Sequence, residues 1–318
     1  MKTTVFKRMA MFFLAGVTGV LLVSCGGGGG TTSSAEATTT TGSDTIVNGI
    51  VSKGPVSGAT VNGYAIENGG KGRLLGSAMT GQNGAFTMNM GQYNGPMLLE
   101  AYGGSYVDEA TGVSTDMGTM IFRTAMENVS GNTTMALTPM TEMAVQYMNG
   151  NYSDQMMTTA NQVMGSAFGV SDIVRTLPKE VGTASTTGQE NETYYGLMLA
   201  AMSRFSSTTN TDIPALMQGM LDAMTTNDTQ ALDYYTNMMS QSFTDFTMSP
   251  QNMTGMTFSS GMMSTSGITG MMGGYNGTYG GTTGGGGVSG GMMGGSYSGG
   301  TTGGTGGGMM GGWLTGGR

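Results

Sequence analysis

The chain contains no histidine and only one cysteine among its 318 residues. Without imidazole it cannot form a Ser-His-Asp relay or a histidine-ligated zinc site, and a lone thiol is a poor basis for a redox or metal site. Basic residues are also few: eleven stand against nineteen acidic residues, and the formal net charge is −8. Nucleic acid and anionic lipid are therefore poor partners for this chain, because both are negatively charged.

The one cysteine, Cys25, closes the run Leu22-Val23-Ser24-Cys25 at the end of an apolar segment that follows Lys2, Lys7 and Arg8. The apolar segment, residues 9–23, is shorter than the roughly 20 residues that a bilayer-spanning helix needs, and its length is typical of a signal peptide. The run resembles the lipobox of bacterial lipoproteins, in which a diacylglyceryl group is attached to the cysteine before cleavage. The resemblance implies that residues 1–24 are a signal peptide and that Cys25 is the lipidated N-terminus.

Glycine rather than aspartate follows Cys25, which resembles the default for transfer to the outer membrane in Gram-negative lipoproteins. Two or three acyl chains anchor a protein stably, so we expect attachment to the bacterial outer membrane through lipid, with the periplasmic or surface face left open. Removal of the signal peptide would lower the formal charge from −8 to about −11. The alternative is an ordinary cleaved signal with a coincidental cysteine.

Residues 25–43 are rich in Gly, Ser and Thr, and this composition predicts a flexible tether with a root-mean-square reach of roughly 23 Å. From residue 44 to 137 the pattern changes to short segments of Val, Ile, Tyr, Phe and Leu between glycine-containing turns, which is typical of strands. We expect a small antiparallel β-sandwich there. The predicted strands are residues 46–52, 59–66, 73–80, 85–90, 97–102 and 120–125.

Two stretches of this region, residues 49–61 (GIVSKGPVSGATV) and 80–86 (TGQNGAF), resemble the transthyretin-like, carboxypeptidase-regulatory-like sandwich modules of bacterial exported proteins. Gly81 stands where those modules usually carry an aspartate, and the resemblance covers less than a third of the chain. It implies a sandwich of about seven strands that serves as a spacer or adhesion module, and it implies no activity.

Between residues 138 and 248 the apolar period changes to about 3.6, which predicts a bundle of four or five helices. Thr138, Ser153, Asp212 and Asp228 each precede an apolar stripe and are the expected helix N-caps. Residues 249–318 are dominated by Gly, Ser, Thr and Met, and we expect them to be a disordered tail. The predicted fold class is thus a multi-domain α+β chain with a sandwich, a helical bundle and a disordered Gly/Met-rich tail.

Methionine is abundant, with 35 residues, and several of them lie close together in the tail. Because soft thioethers bind Cu(I) and Ag(I), these residues are candidate metal ligands, although on helix faces Met more often serves as an apolar filler. A sacrificial antioxidant role is also open. The candidate ligands are Met253, Met256, Met262, Met263, Met271, Met272, Met292, Met293, Met309 and Met310.

Carboxylate pairs are the other candidates for chemistry. Asp108 with Glu109, and Glu190 with Glu192, could serve in glycoside hydrolysis, but neighbours in sequence more often are solvated surface charges. Asp108, Glu109 and Asp116 could bind calcium, without EF-hand spacing.

A covalent bond is a further hypothesis for the sandwich. Related surface modules sometimes join a lysine to an asparagine with the help of a buried acid, and Lys53 and Glu100 lie near predicted strands. The alternative is that no such bond forms, and that Lys53 is an exposed lysine and Glu100 an ordinary glutamate at the end of a strand.

These patterns together predict a non-enzymatic structural or protein-binding module, held at the membrane by lipid, with a protein or surface partner and no cofactor. The alternative is a Cu(I)- or Ag(I)-binding lipoprotein that uses the tail methionines. An enzyme is the third and least favoured interpretation.

Overall fold

The computed structural model describes residues 44–256, with strands first and helices after them. This order confirms the predicted succession of sheets and helices. The predictions for the signal peptide, Cys25 and the tether, and those for residues 257–318, lie outside the described residues.

The strands are β1 (Ile46–Val51), β2 (Thr60–Glu67), β3 (Gly70–Met79), β4 (Ala85–Asn89), β5 (Gly95–Tyr102), β6 (Ser105–Val107), β7 (Ser114–Asp116), β8 (Ile121–Val129) and β9 (Asn132–Leu137). The helices are α1 (Pro139–Met148), α2 (Asp154–Phe168), α3 (Glu190–Thr209), α4 (Ile213–Thr226) and α5 (Thr229–Thr247).

The strands form two larger sheets, with orders β4-β1-β9 and β3-β2-β5-β8, and a small β6-β7 hairpin. The two larger sheets face each other: Gly63 of β2 lies against Met88 of β4 and against Met90 just after that strand, so closely that a Cβ at Gly63 would be 2.5 Å from the methyl carbon of Met90. All pairings are antiparallel except that of β1 with β9, which is parallel. The expectation of a purely antiparallel sandwich is therefore corrected at this one pairing.

Six of these strands coincide with the predicted segments, and β6, β7 and β9 were not predicted. The first two have only three residues each, too few to display alternation. Strand β9 begins with Asn132, Thr133 and Thr134, so its apolar character is confined to its last residues. The glycine-containing turn between β2 and β3 has Asn68 at φ 53° and Gly69 at φ 72°, as a twisted hairpin requires.

The predicted helix N-caps are confirmed at Thr138, Ser153, Asp212 and Asp228, whose side chains each accept a hydrogen bond from a backbone N–H of the first turn. Thr138 also forms a capping box with Thr141, whose hydroxyl accepts from the backbone N–H of Thr138. Each of these caps satisfies N–H groups that the first turn of a helix leaves without partners.

Helices α1 and α2 cover the outer edge of β8. Glu142 of α1 accepts hydrogen bonds from the backbone N–H of Arg123 at 3.0 Å and from its guanidinium at 2.9 and 2.5 Å. Asn161 of α2 donates to the carbonyl of Ala125 at 3.1 Å. Because an open sheet edge presents unpaired backbone groups, these side chains complete β8 where the sheet would otherwise end exposed.

Between residues 195 and 203, helix α3 is buried around its whole circumference, although an apolar period of about 3.6 predicts burial along one side only. Leu197 and Leu199, which point to nearly opposite sides of the helix, are both buried. Gly196 permits this placement, since a Cβ there would be 1.9 Å from the carbonyl oxygen of Lys179. The helix thus lies between the 170–180 loop and the other helices. A helix with one apolar face would not be expected in that position.

Buried residues of the strands and helices belong to one continuous apolar cluster. The hydroxyl of Tyr195 is 2.7 Å from the Thr138 hydroxyl and donates to the carbonyl of Ile173 at 3.1 Å, which fixes α3 to the start of α1. Residue 138 is therefore the boundary between the strand-containing and the helix-containing segments, but these two segments share one apolar core.

The folded chain also continues past residue 249, where the tail was expected to begin. Thr254 is buried, its carbonyl accepts from the N–H of Ser185, and Met253 N–H donates to the carbonyl of Val181. Residues 249–256 thus pack on the loop before α3, which corrects the predicted boundary by eight residues. Within the described residues, no helix combines the length and the apolar character needed to cross a membrane.

Loss of the Glu142 carboxylate should destabilise the protein strongly, because it would leave the Arg123 guanidinium and N–H without their partner. We expect Glu142→Ala to lower the free energy of unfolding by about 2–3 kcal/mol, somewhat less than for a fully buried pair because Arg123 keeps some exposure. Glu67→Ala, which breaks the exposed pair with Arg73, should cost less than about 1 kcal/mol. Urea unfolding at pH 7 measures the free energy of unfolding of both variants. Equal losses in the two variants would contradict the role assigned to Glu142.

Stability should fall in alkali because buried phenols resist ionisation. Burial raises the pKa of Tyr194 to about 12, whereas an unfolded tyrosine ionises near pH 10. The contribution is thus intact below about pH 10 and is lost progressively as the pH rises towards 12. Tyr194→Phe should make the decline between these values shallower by about 1.4 kcal/mol per pH unit. Urea unfolding at several alkaline pH values tests this, and an unchanged slope would refute it.

A buried lysine cluster as the candidate functional site

Lys53 lies in the connection between β1 and β2, and its side chain is 0% exposed. Its Nζ donates to Asp108 Oδ2 at 2.9 Å and to Glu109 Oε2 at 3.2 Å. The same nitrogen donates to the hydroxyl of Ser203 on α3 and lies 5.0 Å from the centre of the Tyr106 ring. We call Lys53, Tyr106, Asp108, Glu109 and Ser203 the Lys53 cluster.

The local backbone explains why the lysine meets these acids. Gly54 has φ 70°, and a Cβ there would be 2.4 Å from the carbonyl oxygen of Val107, so only glycine lets the turn come so close to the end of β6. Ser57 and Ser105 then exchange backbone hydrogen bonds of 2.8 and 2.9 Å. The turn after β1 is thereby held against the residues that precede Asp108.

The charges in the cluster stabilise each other. Burial lowers the pKa of Lys53, but the carboxylates of Glu109 and Asp108 outweigh that effect and hold it above its ordinary value. Burial likewise raises the pKa of Asp108, but Lys53 and hydrogen bonds from Lys53 and Thr111 bring it below its ordinary value. The resting cluster is therefore an ammonium ion between carboxylates.

The second oxygen of Asp108 is held by the chain that follows it. Oδ1 accepts from the backbone N–H of Ala110 at 3.1 Å, and from the backbone N–H and the hydroxyl of Thr111, each at 3.0 Å. This turn fixes the plane of the carboxyl group, so that Oδ2 points to Lys53 while Oδ1 is surrounded by donors.

Helix α3 closes the cluster from the other side. The hydroxyl of Ser203 donates to Glu109 Oε2 at 2.6 Å and lies on the buried face of α3. Beside it runs a groove of about 820 Å³ between the β6-β7 hairpin and α3 and α4, which Asp108 and Ser203 border. Hydroxyl groups are frequent in its lining, among them Thr111, Thr115, Ser206 and Thr211.

The geometry argues against hydrolysis at Ser203. A serine nucleophile needs a neighbouring base that is free to take its proton. Lys53 is held as an ammonium ion, and the Glu109 carboxylate beside Ser203 is paired with that ammonium. The Ser203 hydroxyl is instead engaged with Lys53 and Glu109. The cluster can join segments of the fold and can hold charges away from water, but its serine does not resemble an activated nucleophile.

The three candidate calcium ligands have other partners in the structure. Asp116 accepts from the N–H of Gly118 at 2.6 Å, while Asp108 and Glu109 hold the ammonium of Lys53 where a calcium ion would have to bind. Glu190 and Glu192 lie in the first turn of α3, where their charge suits the helix N-terminus. Among the described residues, no group of three or more His, Cys, Asp or Glu residues could hold a metal ion.

Glu100, expected to assist a covalent bond of Lys53, pairs with Lys71 instead. Of the candidate metal ligands, Met253 is 61% exposed and Met256 packs against the apolar cluster. The remaining candidate methionines, like Cys25, lie outside the described residues.

Sequence reasoning missed the partners of Lys53. It paired the lysine with the wrong acid and did not single out Tyr106 or Ser203. One signal was present: Lys53 is the only charged residue between Asp44 and Glu67, in a region of apolar and small residues. A lone charge in such a region is a candidate for burial, and a buried charge requires opposite charges nearby.

Comparisons with known proteins do not assign this cluster. No family model matches the chain, and no curated protein matches it. Among solved structures it is similar in part to an (S)-allantoin synthase (9% identity, 31% of this chain and 41% of that one, TM-score 0.21). It is similar in part to a DUF3823 family protein from Parabacteroides merdae (15% identity, 30% of this chain and 46% of that one, TM-score 0.19). It is also similar in part to a 9R-lipoxygenase from Cyanothece (13% identity, 56% of this chain and 26% of that one, TM-score 0.19). The chain spans less than half the length of each, and these low scores carry no argument about function.

Because Lys53 is an ammonium ion and the Glu109 carboxylate is paired with it, Ser203 should not react as an activated serine. We expect a fluorophosphonate probe at neutral pH to leave the purified protein unlabelled, as judged by mass spectrometry of the peptide that contains Ser203. Labelling that disappears in Ser203→Ala would contradict this and would indicate a hydrolase.

Proposed function

We propose that the chain is a lipid-anchored lipoprotein of the bacterial outer membrane, and that it acts there as a non-enzymatic structural or protein-binding module. The observation that carries the proposal is the position of Cys25, the sole cysteine, at the end of a basic and then apolar N-terminal segment. Acylation at this residue would hold the folded part near the membrane through the tether.

The folded residues support a binding or structural role more than a catalytic one. In the described part of the chain, the ionisable groups brought together in the interior are engaged in ion pairs, as in the Lys53 cluster and between Arg123 and Glu142. Such pairs fix segments relative to one another, and the carboxylate beside the Ser203 hydroxyl, that of Glu109, is itself paired with Lys53. The groove next to the Lys53 cluster, with its hydroxyl groups and the carboxylates of Asp108 and Asp212, is the surface we assign to a protein or surface partner.

The sandwich itself fits a spacer. Its two facing sheets lie directly after residue 44, and the motifs of residues 49–61 and 80–86 resemble transthyretin-like modules of exported proteins. We assign the sandwich to that class of module, and we assign to the helices the role of completing it, since α1 and α2 cover its β8 edge.

The anchor can be tested by removing the thiol. In a Gram-negative host, the wild-type protein should enter the detergent phase of a Triton X-114 separation and incorporate labelled palmitate. Cys25→Ala should do neither, because it has no thiol to acylate, while Ser33→Ala in the tether should behave as the wild type. A wild-type protein without acyl chains, or a Cys25→Ala protein that still incorporates palmitate, would overturn the proposal.

A further inference from the structure

The Lys53 cluster holds an amine and a carboxyl group together in a buried place, with a second carboxyl group beside them. We propose that Lys53 Nζ and Asp108 Cγ become joined by an amide bond within the folded chain, with Glu109 carrying protons between them. The bond is a self-modification of this chain and is independent of the lipid anchor.

Asp108 is arranged as the electrophile. Attack by nitrogen on Cγ places negative charge on one carboxyl oxygen, and donors aimed at that oxygen stabilise the charge. Oδ1 has three such donors, from Ala110 and Thr111, at 3.0 to 3.1 Å. Oδ2 lies 2.9 Å from Nζ and is the oxygen that leaves.

Glu109 is arranged as the proton carrier. Its Oε2 is 3.2 Å from Nζ and accepts from the Ser203 hydroxyl, which also contacts Nζ, so it has a direct path and a hydroxyl path to the nitrogen. A carboxylate within hydrogen-bond reach of the proton it takes is the geometry of general acid–base catalysis.

The step balances without any co-reactant. The ammonium gives up one proton, which reaches Oδ2 of Asp108, and the resulting neutral amine forms a bond to Cγ while charge moves to Oδ1. Glu109 then takes a second proton from the nitrogen and delivers it to Oδ2. The C–Oδ2 bond breaks, water leaves, the C–Oδ1 double bond is restored, and the nitrogen keeps one proton. One ammonium and one carboxylate become one amide and one water.

The surroundings favour the product. Two charges held away from water are replaced by a neutral amide, which removes their desolvation penalty. The side chain of Asp108 is 17% exposed and borders the groove, so the released water has an exit, whereas Lys53 is fully buried. The bond would join residues 55 positions apart and would restrict the unfolded chain much as a disulfide does.

Peptide mapping of the purified full-length protein tests the bond. Trypsin combined with a protease specific for Glu and Asp should release residues 45–67, uncut at Lys53, joined to residues 101–109. The mass of this branched fragment should equal the sum of its two parts less one water, and tandem mass spectrometry should place the branch at Lys53 and Asp108. Recovery of residues 45–53 and 54–67 as separate peptides, without the branched fragment, would overturn the proposal.

Variants assign the roles. Lys53→Arg keeps the charge but should give no branched fragment, and the matched control Lys71→Arg, at the pair with Glu100, should give as much as the wild type. Glu109→Gln should form the bond about 100-fold more slowly after refolding, because an amide cannot carry the proton. Circular dichroism verifies that this variant is folded. A folded Glu109→Gln chain that joins at the wild-type rate would remove the role of Glu109.

Discussion

A charge taken out of water must be neutralised where it lies, and in this chain that constraint falls on Lys53. Its ammonium cannot be buried unless Asp108 and Glu109 come to it, and they come only because Gly54 lets the turn after β1 reach the end of β6. Ser203 then binds the same nitrogen from α3. Three parts of the chain that are distant in sequence are thereby positioned around one atom, and the groove beside them takes its shape from that arrangement.

A related constraint acts at the β8 edge of the sandwich. Strand β8 has a free edge, and Glu142 and Asn161 supply the acceptor and the donor that a further strand would have supplied. The helices are thus more than a separate bundle: they complete the sheet electrostatically as well as by apolar contact. Tyr195 extends this connection, because its hydroxyl binds the Thr138 cap and the 170–180 loop at once. Sheets and helices therefore share one interior.

Much of the secondary structure could be predicted because its signals are local. Alternation placed six strands, and the capping residues Thr138, Ser153, Asp212 and Asp228 placed four helix starts. What failed depends on contacts between distant residues. Strand β9 is polar at its start and is defined by parallel pairing with β1. Helix α3 is buried on all sides, with the Lys179 carbonyl packed against Gly196. The candidate site failed for the same reason: Glu100 was suggested for Lys53 because both lie near predicted strands, whereas the acids that bind the lysine are Asp108 and Glu109, 55 and 56 positions away.

The parallel pairing of β1 and β9 gives the fold a mechanical direction. Strand β1 is entered from residue 44, and β9 leads directly into α1, so a pull on the N-terminal side and a pull on the helices act in opposite senses along two neighbouring parallel strands. In that geometry the load runs along the strands, and the backbone hydrogen bonds that join Ile46–Val51 to Asn132–Leu137 must break at the same time. A hairpin pulled from one end instead opens one bond after another. The same ladder that closes the sandwich would therefore act as a shear clamp under tension.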